Sequence, residues 1–246
     1  MARTLSANTI LQKKFKTILL SNELVSCIGE IEKRGVVFIW GNSGNGKTSF
    51  ILQLIKSLCV DAGLKVLFYS KEEGAGYTMQ KKIRSYGLAE CGSRFQLDDR
   101  MTFEELDERL SLKRSCDVCI IDSLQYAQIN FNRYKAFKGK HRNKLLVFIS
   151  QADGKQPYKS VAKSVMYDAD LKIWVEGYKA FSKGRSIGDT GEYTIWEEGA
   201  KKYWGGKYLI ISNYDKEKIL RKAIRNSKGK GNRPDTAQRD TGEPVY

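Results

Sequence analysis

The sequence alternates between short, uninterrupted apolar runs and longer segments in which apolar residues recur every three or four positions. The apolar runs lie within residues 36–40, 65–70, 118–123 and 145–150, and polar residues occur only at the ends of these ranges. Apolar runs of this length are typical of strands that are buried on both faces, as in a parallel sheet. After the first run, apolar residues recur at the spacing of one helix face: Phe50, Ile51, Leu54, Ile55 and Leu58. The pattern therefore predicts an α/β fold with a mostly parallel central sheet flanked by helices.

The last third of the chain changes to short strand-like segments that are separated by glycine-rich turns. These segments cover residues 171–176, 178–181, 193–196 and 208–212. Short consecutive strands with such turns favour antiparallel hairpins. We therefore expect C-terminal antiparallel hairpins to extend the sheet, with the basic segment 183–191 at the tip of one hairpin.

The two ends of the chain differ from this central region. Residues 1–31 are predicted to form a polar N-terminal lead segment with a basic helical patch at residues 11–16. This lead segment either packs on the core or reaches a neighbouring subunit. Residues 214–246 combine a basic helical segment with a polar tail that we expect to be disordered. Cations of this tail either add affinity for nucleic acid or are simply solvated. The single α/β domain then spans residues 32–213.

The composition is strongly basic. In 246 residues, 43 lysines and arginines oppose 28 aspartates and glutamates, which gives a formal charge of +15. Such a balance favours a polyanionic partner, most simply nucleic acid, although a basic and merely soluble surface has the same composition.

The cysteines and the apolar segments bear on where the protein works. Five cysteines, an odd number, are scattered through apparent core segments, which is typical of a reducing compartment. The first residues lack the apolar core of a secretion signal, and no apolar run approaches the ~20 residues that span a bilayer. We expect a soluble, cytoplasmic protein with no membrane partner.

One glycine-rich motif gives the sequence its clearest chemistry. Residues 41–48 read G-x-x-x-x-G-K-T between a predicted strand and a predicted helix, which is the context of a phosphate-binding loop. Lys47 is expected to reach the β- and γ-phosphates of a nucleotide, and Thr48 to ligate Mg²⁺. The nucleotide-binding residues are therefore Gly41, Asn42, Ser43, Gly44, Asn45, Gly46, Lys47, Thr48 and Ser49. The alternative is a glycine-rich turn that happens to carry a lysine.

Polar side chains follow three of the predicted strands. Glu72 and Glu73 come after the second strand, where either can orient the attacking water or belong to a solvated acidic loop. Asp122 ends the third strand in the Walker B arrangement and is expected to hold Mg²⁺ through its water shell. Gln151 ends the fourth strand, where its amide can sense the γ-phosphate.

Two basic segments are candidates for contact with nucleic acid. The first, residues 132–144, interleaves cations with Tyr134 and Phe137, a composition suited to single-stranded nucleic acid. The alternative is a solvated helix face whose aromatic side chains point into the core. His141, in the same segment, is expected at the surface. The second segment is the predicted loop 152–163, whose position after Gln151 would couple the two sites. The candidate contacts are Arg133, Lys135, Lys138, Lys140, Arg142, Lys155, Lys159 and Lys163.

These motifs, in this order, resemble the RecA-like P-loop ATPases, in particular the group that includes bacterial RadA, KaiC and the DnaB-type hexameric helicases. The resemblance covers about residues 36–204 and implies that the nucleotide is ATP and that Glu72 is the catalytic glutamate. It also implies that Lys183 and Arg185 reach the nucleotide of a neighbouring subunit in a hexameric ring or filament. The glycine after Arg185 comes one residue later than in the usual K-N-R-x-G pattern. Residues 162–170 and 193–199 further resemble small ATPases carried by phages and mobile elements of Bacteroidetes-type bacteria.

The sequence leads to one main functional hypothesis and two rivals. The main hypothesis is a Mg²⁺-dependent ATPase that binds DNA, in single-stranded form, and acts as a homo-oligomeric motor with replication or recombination proteins. The first rival is a nucleotide-switched binding protein with little turnover, such as a helicase loader or a KaiC-like signalling module. The second is a packaging or partition ATPase that acts on proteins or duplex DNA.

Overall fold

The computed structural model describes residues 4–18, 20, 22–184 and 191–205. The described residues up to Tyr203 form one compact unit. Its helices are α1 (Ala7–Leu11), α2 (Asn22–Ile28), α3 (Lys47–Val60), α4 (Tyr77–Ser85), a 3-10 helix (Leu88–Arg94), α5 (Phe103–Ser111), α6 (Phe131–Lys140), α7 (Ser160–Asp168) and α8 (Glu197–Trp204). Its strands are β1 (Thr17–Ile18), β2 (Ile31–Glu32), β3 (Gly35–Gly41), β4 (Val66–Ser70), β5 (Phe95–Asp98), β6 (Val118–Asp122), β7 (Leu145–Asp153), β8 (Gln156–Pro157), β9 (Leu171–Glu176), β10 (Lys179–Gly184) and β11 (Gly191–Thr194).

One large sheet organises the unit. Its strands follow the order β11-β10-β9-β3-β7-β6-β4-β5, and β8 pairs with β7 at the end of that strand. From β9 to β5 the neighbouring strands are parallel, whereas β10 and β11 add an antiparallel hairpin. The predicted fold class, a mostly parallel sheet flanked by helices and extended by an antiparallel hairpin, is confirmed.

Helices cover both faces of the parallel strands. On one face, side chains of α2, α3 and the 3-10 helix pack with β3, β4 and β7. On the other face, α5, α6 and α7 bury their apolar stripes against the same sheet. Every residue of β4 and β6 is buried, which explains why these strands read as continuous apolar runs.

Several segments differ from the prediction. The predicted loop 152–163 contains β8 and the first turn of α7, whose buried residues Ala162 and Val165 supply only a short apolar signal. α8 follows the last described strand and was not predicted. The basic patch at residues 11–16 is not helical beyond Leu11. The predicted strand 208–212 and the basic helical segment from residue 214 lie outside the described residues.

The lead segment contributes to the core. Leu24, Cys27 and Ile28 of α2 are buried, and the Ser26 hydroxyl donates a hydrogen bond to the carbonyl oxygen of Glu192 at 3.0 Å. Of the two alternatives for the lead, α2 therefore packs on the core of its own chain. Within the described part of the chain, no helix is long and apolar enough to cross a membrane.

Candidate active site

The phosphate-binding motif forms a tight loop between β3 and α3. Gly44 and Gly46 have φ angles of 75° and 97°, which side chains with a Cβ rarely adopt. A Cβ on Gly41 would lie 2.1 Å from the carbonyl oxygen of Val175, so the loop can leave β3 only at a glycine. α3 begins at Lys47, which directs the N–H groups of its first turn toward the loop.

Lys47 bends back over this loop. Its Nζ donates a hydrogen bond to the carbonyl oxygen of Asn42 at 3.0 Å. Burial lowers the pKa of Lys47, while the negative charges of Glu72, Asp122 and Glu73 act to raise it. The ammonium therefore lies within electrostatic reach of both acidic strand ends.

Asp122 lies at the centre of this acidic group. The residue is 5% exposed. Burial, followed by the charges of Glu72 and Glu73, raises the pKa of Asp122 to about 7, and Lys47 opposes that shift. The structure thus brings Lys47, Glu72 and Asp122 together, as the order of the motifs predicts. A cation bound next to Asp122 would favour the ionised form of its carboxylate.

The two adjacent glutamates have different surroundings. Glu73 accepts hydrogen bonds from the Thr48 hydroxyl at 2.5 Å and from Lys82 Nζ at 2.6 and 2.8 Å. Glu72 is exposed, and its carboxylate has no hydrogen-bond partner among the described residues. Sequence reasoning missed Lys82, because a lysine on α4 has no local pattern that ties it to Glu73.

The residues around Asp122 fit a Mg²⁺ ion. Ser70 is the register partner of Asp122, and Ser123 follows it in the chain. Both serine hydroxyls are buried and lack a hydrogen-bond partner in the described part of the chain, so they could bind waters of a hydrated ion. No group of three or more His, Cys, Asp or Glu side chains suited to a metal is found among the described residues. Mg²⁺ needs no such group, because it takes one or two protein oxygens besides phosphates and water.

Gln151 lies next to the phosphate loop. It is the register partner of Gly41 in the parallel pairing of β3 and β7. The segment that follows Gln151 rests on the same loop, since Asn42 Nδ2 donates to the carbonyl oxygen of Gly154 at 3.2 Å and Trp40 Nε1 to that of Lys155 at 3.1 Å. Direct contacts therefore link the phosphate loop with the basic segment beyond Gln151.

Lys183 is exposed and lies away from its own phosphate loop. It pairs with Lys172 of β9, which in turn pairs with Phe38 of β3. Lys183 is therefore level with Phe38, which precedes Gly41 by three residues, or about 10 Å at about 3.3 Å per residue. The residue after Lys183 in β10 lies still further from the loop, because β10 runs antiparallel to β9. A contact between Lys183 and a γ-phosphate would therefore require the nucleotide of another subunit. Arg185 lies outside the described residues.

The basic helix α6 does not match the predicted base-stacking surface. Tyr134 is 0% exposed and Phe137 is 3% exposed, because both belong to the apolar stripe that packs on the sheet. The stacking role for these two residues is therefore wrong, and the alternative of a helix with aromatic side chains in the core holds. His141 is also buried, and its Nε2 lies 2.6 Å from Asp107 Oδ1, so the expectation of a surface histidine is wrong too.

Most cations of α6 are already paired. Arg133 contacts Glu104, Lys138 lies 2.7 Å from Asp168, and Lys140 lies 2.6 Å from Asp107. Lys135 lies over the ring of Phe131, and Arg142 is exposed beyond the end of the helix. These ion pairs reduce the positive charge that this face offers to a polyanion.

The core role of Tyr134 leads to a stability prediction. Tyr134→Ala should lower the free energy of unfolding by about 3–5 kcal/mol, because it leaves a large cavity under α6. Tyr134→Phe should cost about 1 kcal/mol, since it removes only the hydrogen bond from the hydroxyl to Asp168. Denaturant unfolding measures both values. Equal stability of Tyr134→Ala and the parent would contradict the core assignment.

Lysines next to aromatic rings instead occur in the segment after Gln151, which contacts the phosphate loop. Lys159 Nζ lies 5.4 Å from the ring centre of Tyr158, which is 44% exposed, and Tyr126 is 52% exposed. Lys155 Nζ lies 5.7 Å from the ring centre of Trp174. Lys163 is exposed on α7. The composition suited to single-stranded nucleic acid thus occurs around residues 153–159 rather than on α6.

Comparison with known proteins supports the fold. No protein-family model matches the chain, and no curated protein matches its sequence. Among 755 similar solved chains is the flagellar accessory protein FlaH from Methanocaldococcus jannaschii, which is 16% identical with a TM-score of 0.50; the match covers 70% of this chain and 88% of FlaH. A KaiC-like protein from Pyrococcus horikoshii is 15% identical with a TM-score of 0.49; the match covers 72% of this chain and 90% of that one. The topology, the phosphate loop and the likeness to FlaH together identify a RecA-like P-loop fold.

Proposed function

We propose that this protein is a Mg²⁺-dependent ATPase that binds single-stranded DNA and works as a homo-oligomer in replication or recombination. One observation carries the proposal: the Lys47 ammonium lies over the phosphate loop, 3.0 Å from the carbonyl oxygen of Asn42, within electrostatic reach of the carboxylates of Glu72 and Asp122. That is the set of groups that phosphoryl transfer to water requires.

Each residue has a distinct task in the proposed reaction. The N–H groups of residues 43–49 and the Lys47 ammonium grip the β- and γ-phosphates. Thr48 would bind Mg²⁺ directly and Asp122 would hold it through bound water, and the ion would neutralise charge on the phosphates. Glu72 accepts a proton from the attacking water, since its carboxylate is exposed to solvent. Gln151, at the level of Gly41, senses the γ-phosphate.

The proposed oligomer follows from the position of Lys183. Because Lys183 lies on a strand that runs away from its own loop, charge neutralisation by Lys183 and Arg185 would come from an adjacent copy in a ring or filament. Hydrolysis by a single chain should then be slow. Slow hydrolysis by a single chain is also what the second candidate predicts, a nucleotide-switched binding protein in which ATP controls assembly and little turnover follows.

The DNA contact is proposed for the segment 153–159. Its contacts with Asn42 and Trp40 place it against the phosphate loop, so nucleotide binding and DNA binding can influence each other. Lys155 and Lys159 are exposed, with their ammonium groups over the rings of Trp174 and Tyr158, and can neutralise phosphates while Tyr158 stacks on a base.

The test measures ATP hydrolysis and DNA binding with an oligonucleotide. Stimulation by single-stranded DNA supports the motor, whereas binding with little turnover supports the switch. Lys155→Ala combined with Lys159→Ala should reduce stimulation and lower the slope of log affinity against log salt by about 1.4, or about 0.7 per lost phosphate contact. Lys138→Ala combined with Lys140→Ala is the matched control on α6 and should change the slope less, because both lysines have carboxylate partners. An unchanged slope in the first variant, or a larger change in the control, would contradict the assignment.

A further inference from the structure

The strands on the two sides of β3 differ in the residues that they bring to the phosphate loop. Three strands lie on one side of β3 in the sheet: β7, β6 and β4. Gln151 belongs to β7, Asp122 ends β6, and Glu72 follows β4. β9 and β10 lie on the other side. If the proposed function holds, the γ-phosphate points toward the carboxylates, because Mg²⁺ and the attacking water are held there. The nucleoside at the other end of the triphosphate is then directed toward the flank of β9 and β10.

The turn between β9 and β10 is fastened to the phosphate loop on this second flank. The Gly177 N–H donates a hydrogen bond to Asn45 Oδ1 at 2.8 Å, and the Tyr178 N–H donates to the carbonyl oxygen of Asn45 at 3.2 Å. A Cβ built on Gly46 would lie 3.2 Å from Tyr178 Cδ1, so the tyrosine ring is in contact with the loop. Tyr178 has a φ of 60°, a conformation that residues other than glycine adopt only when their surroundings impose it.

A second aromatic ring extends this contact to the surface. Trp196 packs edge-to-face on Tyr178, with ring centres 5.0 Å apart and an interplanar angle of 87°. The Ile195 N–H donates to the carbonyl oxygen of Tyr178 at 2.8 Å, and Gln53 Nε2 donates to that of Ile195 at 3.1 Å. Trp196 is thereby tied to both the turn and α3, yet it remains 50% exposed.

The packing behind Trp196 leaves little room for the indole to move. A Cβ on Gly199 would lie 2.2 Å from Trp196 Cε3 and 2.7 Å from Tyr178 Cδ2. A large, fixed and half-exposed aromatic ring next to a phosphate loop is suited to stack on a nucleobase, because every base offers a π face.

We propose that Trp196 is the stacking platform for the purine base of the bound nucleotide and that Tyr178 holds it in position. The inference rests on the proposed nucleotide binding at residues 41–49 and adds the residue that contacts the base. Because stacking depends on the ring face, it should favour purine over pyrimidine nucleotides and contribute nothing to binding of phosphates alone.

Calorimetric titration with Mg·ATP and with Mg·tripolyphosphate separates the base from the phosphates. Trp196→Ala should weaken ATP binding about tenfold to a hundredfold and leave tripolyphosphate binding unchanged within about twofold. Trp196→Phe should retain most of the parental affinity for ATP, because it keeps an aromatic face. Tyr167→Ala, which removes an exposed ring on α7, is the matched control and should change neither affinity.

Three results would overturn the stacking role. Parental ATP affinity in Trp196→Ala would show that the base lies elsewhere. Equal losses for ATP and tripolyphosphate would show that Trp196 supports the loop rather than the base. Failure of the parent to bind either ligand would refute the proposed function and this inference with it. Tryptophan fluorescence gives a second measurement, in which Trp196→Phe keeps an aromatic ring in the same packing. ATP should quench the emission of the parent more strongly than that of Trp196→Phe. Equal quenching would also count against the proposal.

Discussion

Replacing Lys47 by alanine is expected to reduce ATP hydrolysis about a thousandfold. The ammonium lies over the phosphate loop, 3.0 Å from the carbonyl oxygen of Asn42, and within electrostatic reach of Glu72 and Asp122. Its removal takes away the charge that binds the γ-phosphate in the ground state and stabilises it further in the transition state. Both the affinity for ATP and the turnover number should therefore fall, as measured by calorimetry and by phosphate release.

The control for this prediction is Lys56→Ala on the same helix. Lys56 pairs with Glu90 at 2.8 Å on the surface, remote from the phosphate loop, and its loss should leave hydrolysis within about twofold of the parent. If Lys47→Ala hydrolysed ATP at the parental rate, residues 41–49 would not form the reaction site.

Replacing Glu72 by glutamine should lower the turnover number about a hundredfold to ten-thousandfold and keep nucleotide affinity close to that of the parent. The amide preserves the size of the side chain but cannot take a proton from water. The loss should therefore be confined to the chemical step, which single-turnover measurements with saturating Mg·ATP report.

Glu73→Gln is the matched variant, because the neighbouring glutamate has the same side chain in different surroundings. Glu73 binds the Thr48 hydroxyl and Lys82, so its replacement should mainly raise the Mg²⁺ concentration required for activity. Loss of turnover in Glu73→Gln together with near-parental turnover in Glu72→Gln would reverse the two assignments.

Much of the site could be predicted because its signals are local. The phosphate loop is a run of adjacent residues whose glycines are required by backbone conformation, as the φ angles of Gly44 and Gly46 show. Glu72 and Asp122 end apolar strands, and strands that run in parallel bring their carboxyl ends to one edge of the sheet. The convergence of these residues with Lys47 thus follows from the order of elements alone.

Other features depend on which face of an element a side chain occupies. Tyr134 and Phe137 read equally well as stacking residues or core residues, and only the packing of α6 on the sheet decides between them. The partners of His141 and Lys138, Asp107 and Asp168, lie about 30 residues away in sequence. The first turn of α7 falls in the predicted loop 152–163, because α7 buries few apolar side chains and follows a segment with glycine and proline.

Residue spacing along the chain was sufficient to predict the α/β class, the strands of the parallel sheet and the loop that can hold phosphate. The packing of distant elements was needed to show that Glu73 rather than Glu72 binds Thr48, that Lys183 lies away from its own loop, and that Trp196 adjoins Tyr178 beside Gly46. The physical reason is that these relations join different elements, and their distances depend on strand order and helix packing rather than on any local pattern.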